Sequence, residues 1–228
     1  MIGILAGMGP RSTAPFIDMV VTECQRQYGA RDDIEFPKIM ICSQPAPFYE
    51  DRPVDHDVLE AAIRVGLEDL ERTGADLLAI ACNTAHVYFP SLTEAVKPPL
   101  LDMVSLTAEA MPAAAGTLGL IAARPTVESE IYQGALAARG FDVVDVGWQG
   151  EVDRLLGLTR SSAGSAELAE AWRKIGLLLR RLGVDTAVVA CLDLSAIRLH
   201  APADLPVIDA AECLASEIVR RWLQLRDS

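Results

Sequence analysis

The sequence predicts an α/β protein of two pseudo-symmetric domains, each a mostly parallel sheet flanked by helices, with an active site in the interdomain cleft. Three observations carry this reading. Short, continuously apolar runs alternate with longer amphipathic ones along the chain. Two stretches of the first half recur, in order, in the second. One of the recurring stretches ends each time in a cysteine, Cys82 and Cys191.

The expected strands are IGILA (2–6), FPKIMIC (36–42), ADLLAIA (75–81), LLDMV (100–104), TLGLIA (117–122), FDVVDV (141–146), VDTAVVA (184–190) and LPVID (205–209). Helical patterns lie between them at 55–73, 127–139, 165–182 and 210–225. Continuous apolar strands separated by helices build a parallel sheet covered on both faces. Ligands of such sheets bind beyond the carboxyl ends of the strands, where both cysteines fall.

The repeat is read by direct overlay. LERTGADLLAIAC (70–82) lies over LRRLGVDTAVVAC (179–191) without a gap, at an offset of 109, with Leu, Arg, Gly, Asp, Ala and Cys identical at matching positions. IGILAGMGP (2–10) lies over LGLIAARPT (118–126) at an offset of 116. The expected domains are 1–100, completed by 208–228, and 101–207.

The net charge of −12 argues against nucleic acid and anionic membrane as partners, since both need a basic footprint. It leaves room for an acidic substrate held by a few local cations and backbone amides. No apolar run approaches ~18 residues, so no membrane span is expected. MIGILAGMGPR has no basic leader before its Gly-Pro turn, unlike a signal peptide. Five scattered cysteines without a CxxC pair suit a cytoplasmic chain with free thiols rather than a disulfide frame or zinc ribbon.

A cysteine closing a strand is usually a buried filler, and Cys24, Cys42 and Cys213 are read that way. Cys82 and Cys191 differ because they recur at one repeat position. Asn83, Thr84 and His86 follow the first, and Asp193 and Ser195 the second. Amides at a strand-to-helix turn favour the thiolate. Two thiols flanking one carbon suit removal of a proton from one face and delivery to the other.

LAGMGPRST at the start, EDR at 50–52, ACNTAH at 81–86 and the second strand-end cysteine resemble the aspartate/glutamate racemase superfamily, in particular its cofactor-independent aspartate racemase branch. The resemblance implies two pseudo-symmetric α/β domains and an amino-acid racemase using neither pyridoxal phosphate nor metal. It implies Cys82 and Cys191 as the acid/base pair. Asn83 and Thr84 would hold the substrate's polar groups, beside the backbone of Met8 and Gly9, with Arg52 as the carboxylate-binding arginine. A guanidinium fork suits that task, although unaided, Arg52 reads as a solvated loop cation. Thr126, in RPTVESEIY, matches a substrate-contacting segment, though its setting also suits a helix N-cap. Arg160 stands where some members carry a substrate-binding lysine, and His86 orients the loop or assists proton exchange. A homodimer is implied by analogy.

Departures from the family pattern concentrate in the second half. Members typically read GCTEL around the second cysteine, and this chain reads ACLDL, so Leu192 replaces a hydroxyl and Asp193 is one carbon shorter than the usual Glu. Ala123 replaces a usual Thr, while Ala6 for Gly near the start is mild. A more apolar half-pocket disfavours an unpaired buried charge, which extends the expected substrates beyond aspartate to less polar or bulkier amino acids, or another carbon acid. Two other readings stand beside the racemase: an isomerase or decarboxylase of a dicarboxylic acid with one cysteine attacking covalently, and a non-catalytic amino-acid binder.

Overall fold

Ile2–Ala6 carries no polar side chain and is buried throughout, which makes it the central strand β1 of the first sheet. The computed structural model describes residues 1–49, 53–145, 147–161, 163–200 and 205–226. After β1 come α1 (Thr13–Tyr28), β2 (Ile39–Ser43), α2 (His56–Arg72), β3 (Leu77–Ile80), α3 (Phe89–Ala95), β4 (Leu100–Leu101) and α4 (Met103–Glu109). The second half runs β5 (Leu118–Ala122), α5 (Arg124–Glu128), α6 (Ile131–Ala137), β6 (Val143–Val144), α7 (Gln149–Arg160), α8 (Ser165–Arg181), β7 (Thr186–Ala190), α9 (Leu192–Ser195), β8 (Val207–Asp209) and α10 (Ala210–Arg226).

Among the described residues the strands form two four-stranded sheets, in the orders β2-β1-β3-β4 and β6-β5-β7-β8, with every pairing parallel. The chain divides into two compact units, 1–103 with 214–228, and 104–213. Because β8 pairs with β7, residues 208–213 stay with the second sheet, and the division falls inside α10.

In the first unit, α2 starts on Asp55, whose carboxylate accepts the Val58 N–H at 3.1 Å, an N-cap that satisfies one of the orphan donors of the first turn. Leu59, Ile63, Gly66, Leu67 and Leu70 form its buried stripe, at helical spacing, against β1 and β3. In the second unit, α8 buries Leu168, Ala171, Trp172, Ile175 and Leu179 in the same manner. The two helices begin and end at one offset, 109 residues. A glycine with left-handed backbone, Gly74 (φ 81°) or Gly183 (φ 74°), follows each at that same offset, where residues other than glycine are strained.

All eight expected strands are present, most of them shortened. The strand expected at 100–104 ends at Leu101, because α4 starts at Met103. The strand expected at 36–42 begins at Ile39, past Pro37, which has no N–H to donate. The helix expected at 127–139 is two helices. α5 starts earlier, with Pro125 in its first turn, and Glu130 in left-handed conformation (φ 56°) separates it from α6. No helix among the described residues is long and apolar enough to cross a membrane.

Candidate active site

Strand order decides where each sheet opens. In the order 2-1-3-4 the connections diverge between β1 and β3, and in 6-5-7-8 between β5 and β7. Crevices form at the carboxyl ends of such strand pairs. In the first unit the residues there are Gly7–Gly9 and Cys82–Thr84. In the second they are Ala123–Thr126 and Cys191–Asp193.

Gly7 is required by its surroundings. Its φ is 92°, and a Cβ there would stand 2.6 Å from the backbone nitrogen of Gln44. Its N–H donates to Thr13 Oγ1 at 3.2 Å, and the Ser12 hydroxyl donates to the Gly9 carbonyl at 2.9 Å. The backbone of Met8 and Gly9 is thereby held at the carboxyl end of β1, half-buried, with the Met8 side chain against the first core.

The Ala81 N–H donates to the Leu5 carbonyl at 2.7 Å, one residue beyond the end of β3. Cys82 is therefore the first residue released from the sheet, and its thiol side chain is half-buried. Asn83 is buried and Thr84 half-buried, opening the short 3-10 turn Thr84–Tyr88. His86, 3% exposed, places Nδ1 2.9 Å from the Cys82 carbonyl oxygen. A carbonyl only accepts, so Nδ1 carries the proton. Burial pushes the imidazole's pKa down, against smaller opposing effects of the Cys82 carbonyl, Asp102 and the backbone of Leu101. A neutral ring tied to the backbone orients the loop and is poorly suited to exchanging protons with a substrate.

Cys191 is the N-cap of α9, with extended backbone (φ −156°, ψ 121°), and is half-buried like Cys82. Its carbonyl accepts the N–H groups of Leu194 and Ser195 at 3.0 and 2.9 Å. The Cys191 side chain itself makes no capping hydrogen bond to the first turn of α9. Leu192 is buried and Asp193 half-buried. They stand at the repeat positions of Asn83 and Thr84.

The remaining expected residues are distributed unevenly. Thr126 is fully buried within α5, whose N-cap is Ala123, so the N-cap expectation for Thr126 is corrected. Pro125, suited to a first turn, moves the helix start forward. Arg160 is the exposed last residue of α7. Arg52, with Glu50 and Asp51, lies outside the described residues. No cluster that could hold a metal ion occurs among the described residues.

Cys24 is wholly buried in α1, while Cys42 on β2 and Cys213 on α10 are half-buried, more open than the filler role expected. Burial raises the pKa of all three, for Cys213 to about 12 with added repulsion from Asp209 and Glu212.

The sequence did not single out Asp209, the 1% exposed carboxyl ending β8. Its Oδ1 lies 2.8 Å from Ser195 Oγ and accepts the Ala211 N–H at 2.9 Å, and Arg198 Nε lies 3.4 Å from Oδ2. The signal was present: Leu-Leu-Asp at 100–102 matches Val-Ile-Asp at 207–209, a third element of the repeat.

Comparison with known proteins agrees with this architecture. The model of the Asp/Glu/hydantoin racemase family matches residues 5–218. The chain is 40% identical over 224 residues to the broad specificity amino-acid racemase RacX of Bacillus subtilis, covering 98% of each protein. Among solved structures it is similar to the aspartate racemase of Picrophilus torridus, with a TM-score of 0.79, 26% identity and coverage of 96% of this chain and 93% of that one. The fold is also that of the glutamate racemase isoform RacE1 of Bacillus anthracis, with a TM-score of 0.69 at 20% identity, covering 99% and 82%.

Proposed function

Because the chain belongs to the Asp/Glu/hydantoin racemase family, it is an amino-acid racemase, and we propose that Cys82 and Cys191 are its acid/base pair. One observation carries the assignment. Two half-buried cysteines occupy the same place in two repeated half-sheets, each just past a strand at the point where ligands of such sheets bind.

In the proposed reaction one cysteine, as thiolate, takes the α-proton from one face of the amino acid. The other, as thiol, delivers a proton to the opposite face, and the roles reverse for the other enantiomer. An amino-acid α-proton is weakly acidic, so fixed donors must stabilise the charge that develops as it leaves. Asn83, Thr84 and the backbone of Met8 and Gly9 are proposed for this in the first unit, and Thr126 in the second. Arg52 is proposed to bind a substrate carboxylate, and Asp193 the ammonium. Arg160, exposed at the end of α7, is also proposed to contact the substrate.

The proposed substrates include less polar amino acids as well as acidic ones. Two facts support this. Leu192 puts apolar surface where the first half presents Asn83, and RacX, similar over nearly its whole length, is a broad specificity racemase.

The test is a panel of single-enantiomer amino acids in deuterated water with wild type, Cys82→Ser and Cys191→Ser. Wild type is expected to racemise several of them with deuterium at the α-carbon. Each variant is expected to lose about 10²–10⁴-fold in racemisation, the usual worth of a general acid or base. Full racemisation by either variant would overturn the two-cysteine assignment. Ligand-induced stabilisation without α-exchange across the panel would favour a binder.

A further inference from the structure

His86 and Ser195 stand at the same repeat position, each four residues beyond the cysteine of its half. Both are buried, at 3% and 5% exposure. Both reach back to the cysteine's own carbonyl, His86 Nδ1 to Cys82 at 2.9 Å and Ser195 Oγ to Cys191 at 3.1 Å. Ser195 also engages the end of the fourth strand of its sheet, its Oγ lying 2.8 Å from Asp209 Oδ1 at the end of β8, whereas the buried His86 Nε2 makes no hydrogen bond. The two halves have thus kept one construction with different chemistry, an imidazole in the first and a hydroxyl with a carboxyl in the second.

From this juxtaposition we infer that His86, and Ser195 together with Asp209, are positioning residues that anchor each cysteine-bearing turn, the second of them to the neighbouring strand, and so set the orientation of the thiol. A serine hydroxyl bonding the carbonyl four residues back is common in helices. Here the bond to Asp209 distinguishes it, because that carboxyl also accepts the Ala211 N–H at the start of α10 and faces Arg198 from the 3-10 turn Arg198–His200. The turn after Cys191 is thereby joined to β8 and to both segments flanking it. Ser195 has one proton to give. Toward an ionised Asp209 it goes to Oδ1, and a protonated Asp209 frees it for the Cys191 carbonyl. On the first side the imidazole reaches the Cys82 carbonyl and its ring stacks on Phe89 at 5.9 Å between centroids.

The role of these residues in catalysis rests on the proposal that the two cysteines are the acid/base pair, but their effect on the thiols can be read without turnover. Iodoacetamide labelling of Cys82 and Cys191 in the same folded molecule, quantified peptide by peptide, gives a ratio that general loosening does not move. Ser195→Ala is expected to slow Cys191 relative to Cys82 by about threefold or more, because the turn that orients the thiol is released from its anchor. His86→Phe, which keeps a stacking ring without a donor, is expected to slow Cys82 relative to Cys191 by about the same factor. Ser195→Thr, which retains the hydroxyl, is expected to restore the wild-type ratio. An unchanged ratio, or equal slowing of both thiols in either variant, would overturn the inference. Racemisation by the same proteins separates the two claims. A shifted ratio with activity surviving in Cys191→Ser leaves the anchors standing and removes the two-cysteine mechanism.

Discussion

Leu192 occupies in the second half the repeat position that Asn83 occupies in the first, and both side chains are buried. In the proposed site an amide at this position offers hydrogen bonds, while isobutyl offers only surface, so a substrate polar group is expected to be better served on the first side. Restoring a hydroxyl with Leu192→Thr is expected to raise kcat/KM for aspartate over leucine by roughly tenfold, since pockets built for hydrogen bonding discriminate more strongly than apolar ones. Competition between the two amino acids measures this directly, and an unchanged ratio would remove Leu192 from substrate selection.

Gly3 and Gly119 make the close approach of helix to sheet possible in the two halves. A Cβ on Gly3 would stand 2.7 Å from Leu78 Cδ2, 3.0 Å from Ala75 Cβ and 3.3 Å from Leu70 Cβ. On Gly119 it would stand 2.6 Å from Leu179 Cδ2 and 2.9 Å from Val184 Cγ1. The pairs Leu70 and Leu179, and Ala75 and Val184, are themselves repeat equivalents. A leucine tip can swing away, but the branch atoms beside it cannot, so alanine at either glycine is expected to cost about 1–3 kcal/mol by overpacking. Denaturant melts of Gly3→Ala and Gly119→Ala check this, with Gly150→Ala, where nothing lies within 4 Å of a new Cβ, as the control.

The thiols outside the proposed pair are expected to label slowly in the folded protein. Burial raises the pKa of Cys24 and Cys42, and Cys213 is pushed up to about 12. Alkylation proceeds through the thiolate, which is scarce for Cys213 near neutrality. Replacing Cys213 with Ala is accordingly expected to leave both racemisation and the labelling of Cys82 and Cys191 within about twofold of wild type. Fast labelling of Cys213 would show that α10 opens readily.

The architecture was legible because its signals are periodic and repeated. Eight apolar runs, four helical patterns and two gapless overlays each pointed to parallel strands with helices between them, and strand order then put the two cysteines at equivalent ends. What stayed hidden depends on single side chains. Pro125 in RPTVESEIY is itself a helix-start signal, but nothing there announces that Glu130 turns left-handed. Asp209 was marked only by the short match of Leu-Leu-Asp to Val-Ile-Asp. A carboxyl at a strand end usually faces solvent, and its burial follows from the Ser195, Ala211 and Arg198 contacts that only folding assembles.

Asp209 also gives the second unit a pH dependence whose sign can be worked out. Burial raises its pKa to about 6 from the ordinary 3.8, aided by Glu212 and opposed by the Ser195, Ala211 and Arg198 contacts. Arg198 is itself shared with Glu212, and the remaining titratable neighbour, Cys213, stays a neutral thiol. Below about pH 4 the carboxyl is protonated whether the chain is folded or not. Between about 4 and 6 the folded chain keeps its proton while the unfolded chain releases it, so stability falls as pH rises across this window, by on the order of 3 kcal/mol. Above about 6 both states are ionised and the dependence ends. An asparagine side chain in its place cannot titrate, so the stability of wild type relative to Asp209→Asn is expected to decline by a few kcal/mol from about pH 4 to about pH 7. Trp148 and Trp172, both buried in the second unit, report its unfolding by fluorescence. Parallel pH curves for the two proteins would mean that the contacts around Asp209 hold it ionised across this range, and that the Ser195 proton stays on the carboxylate.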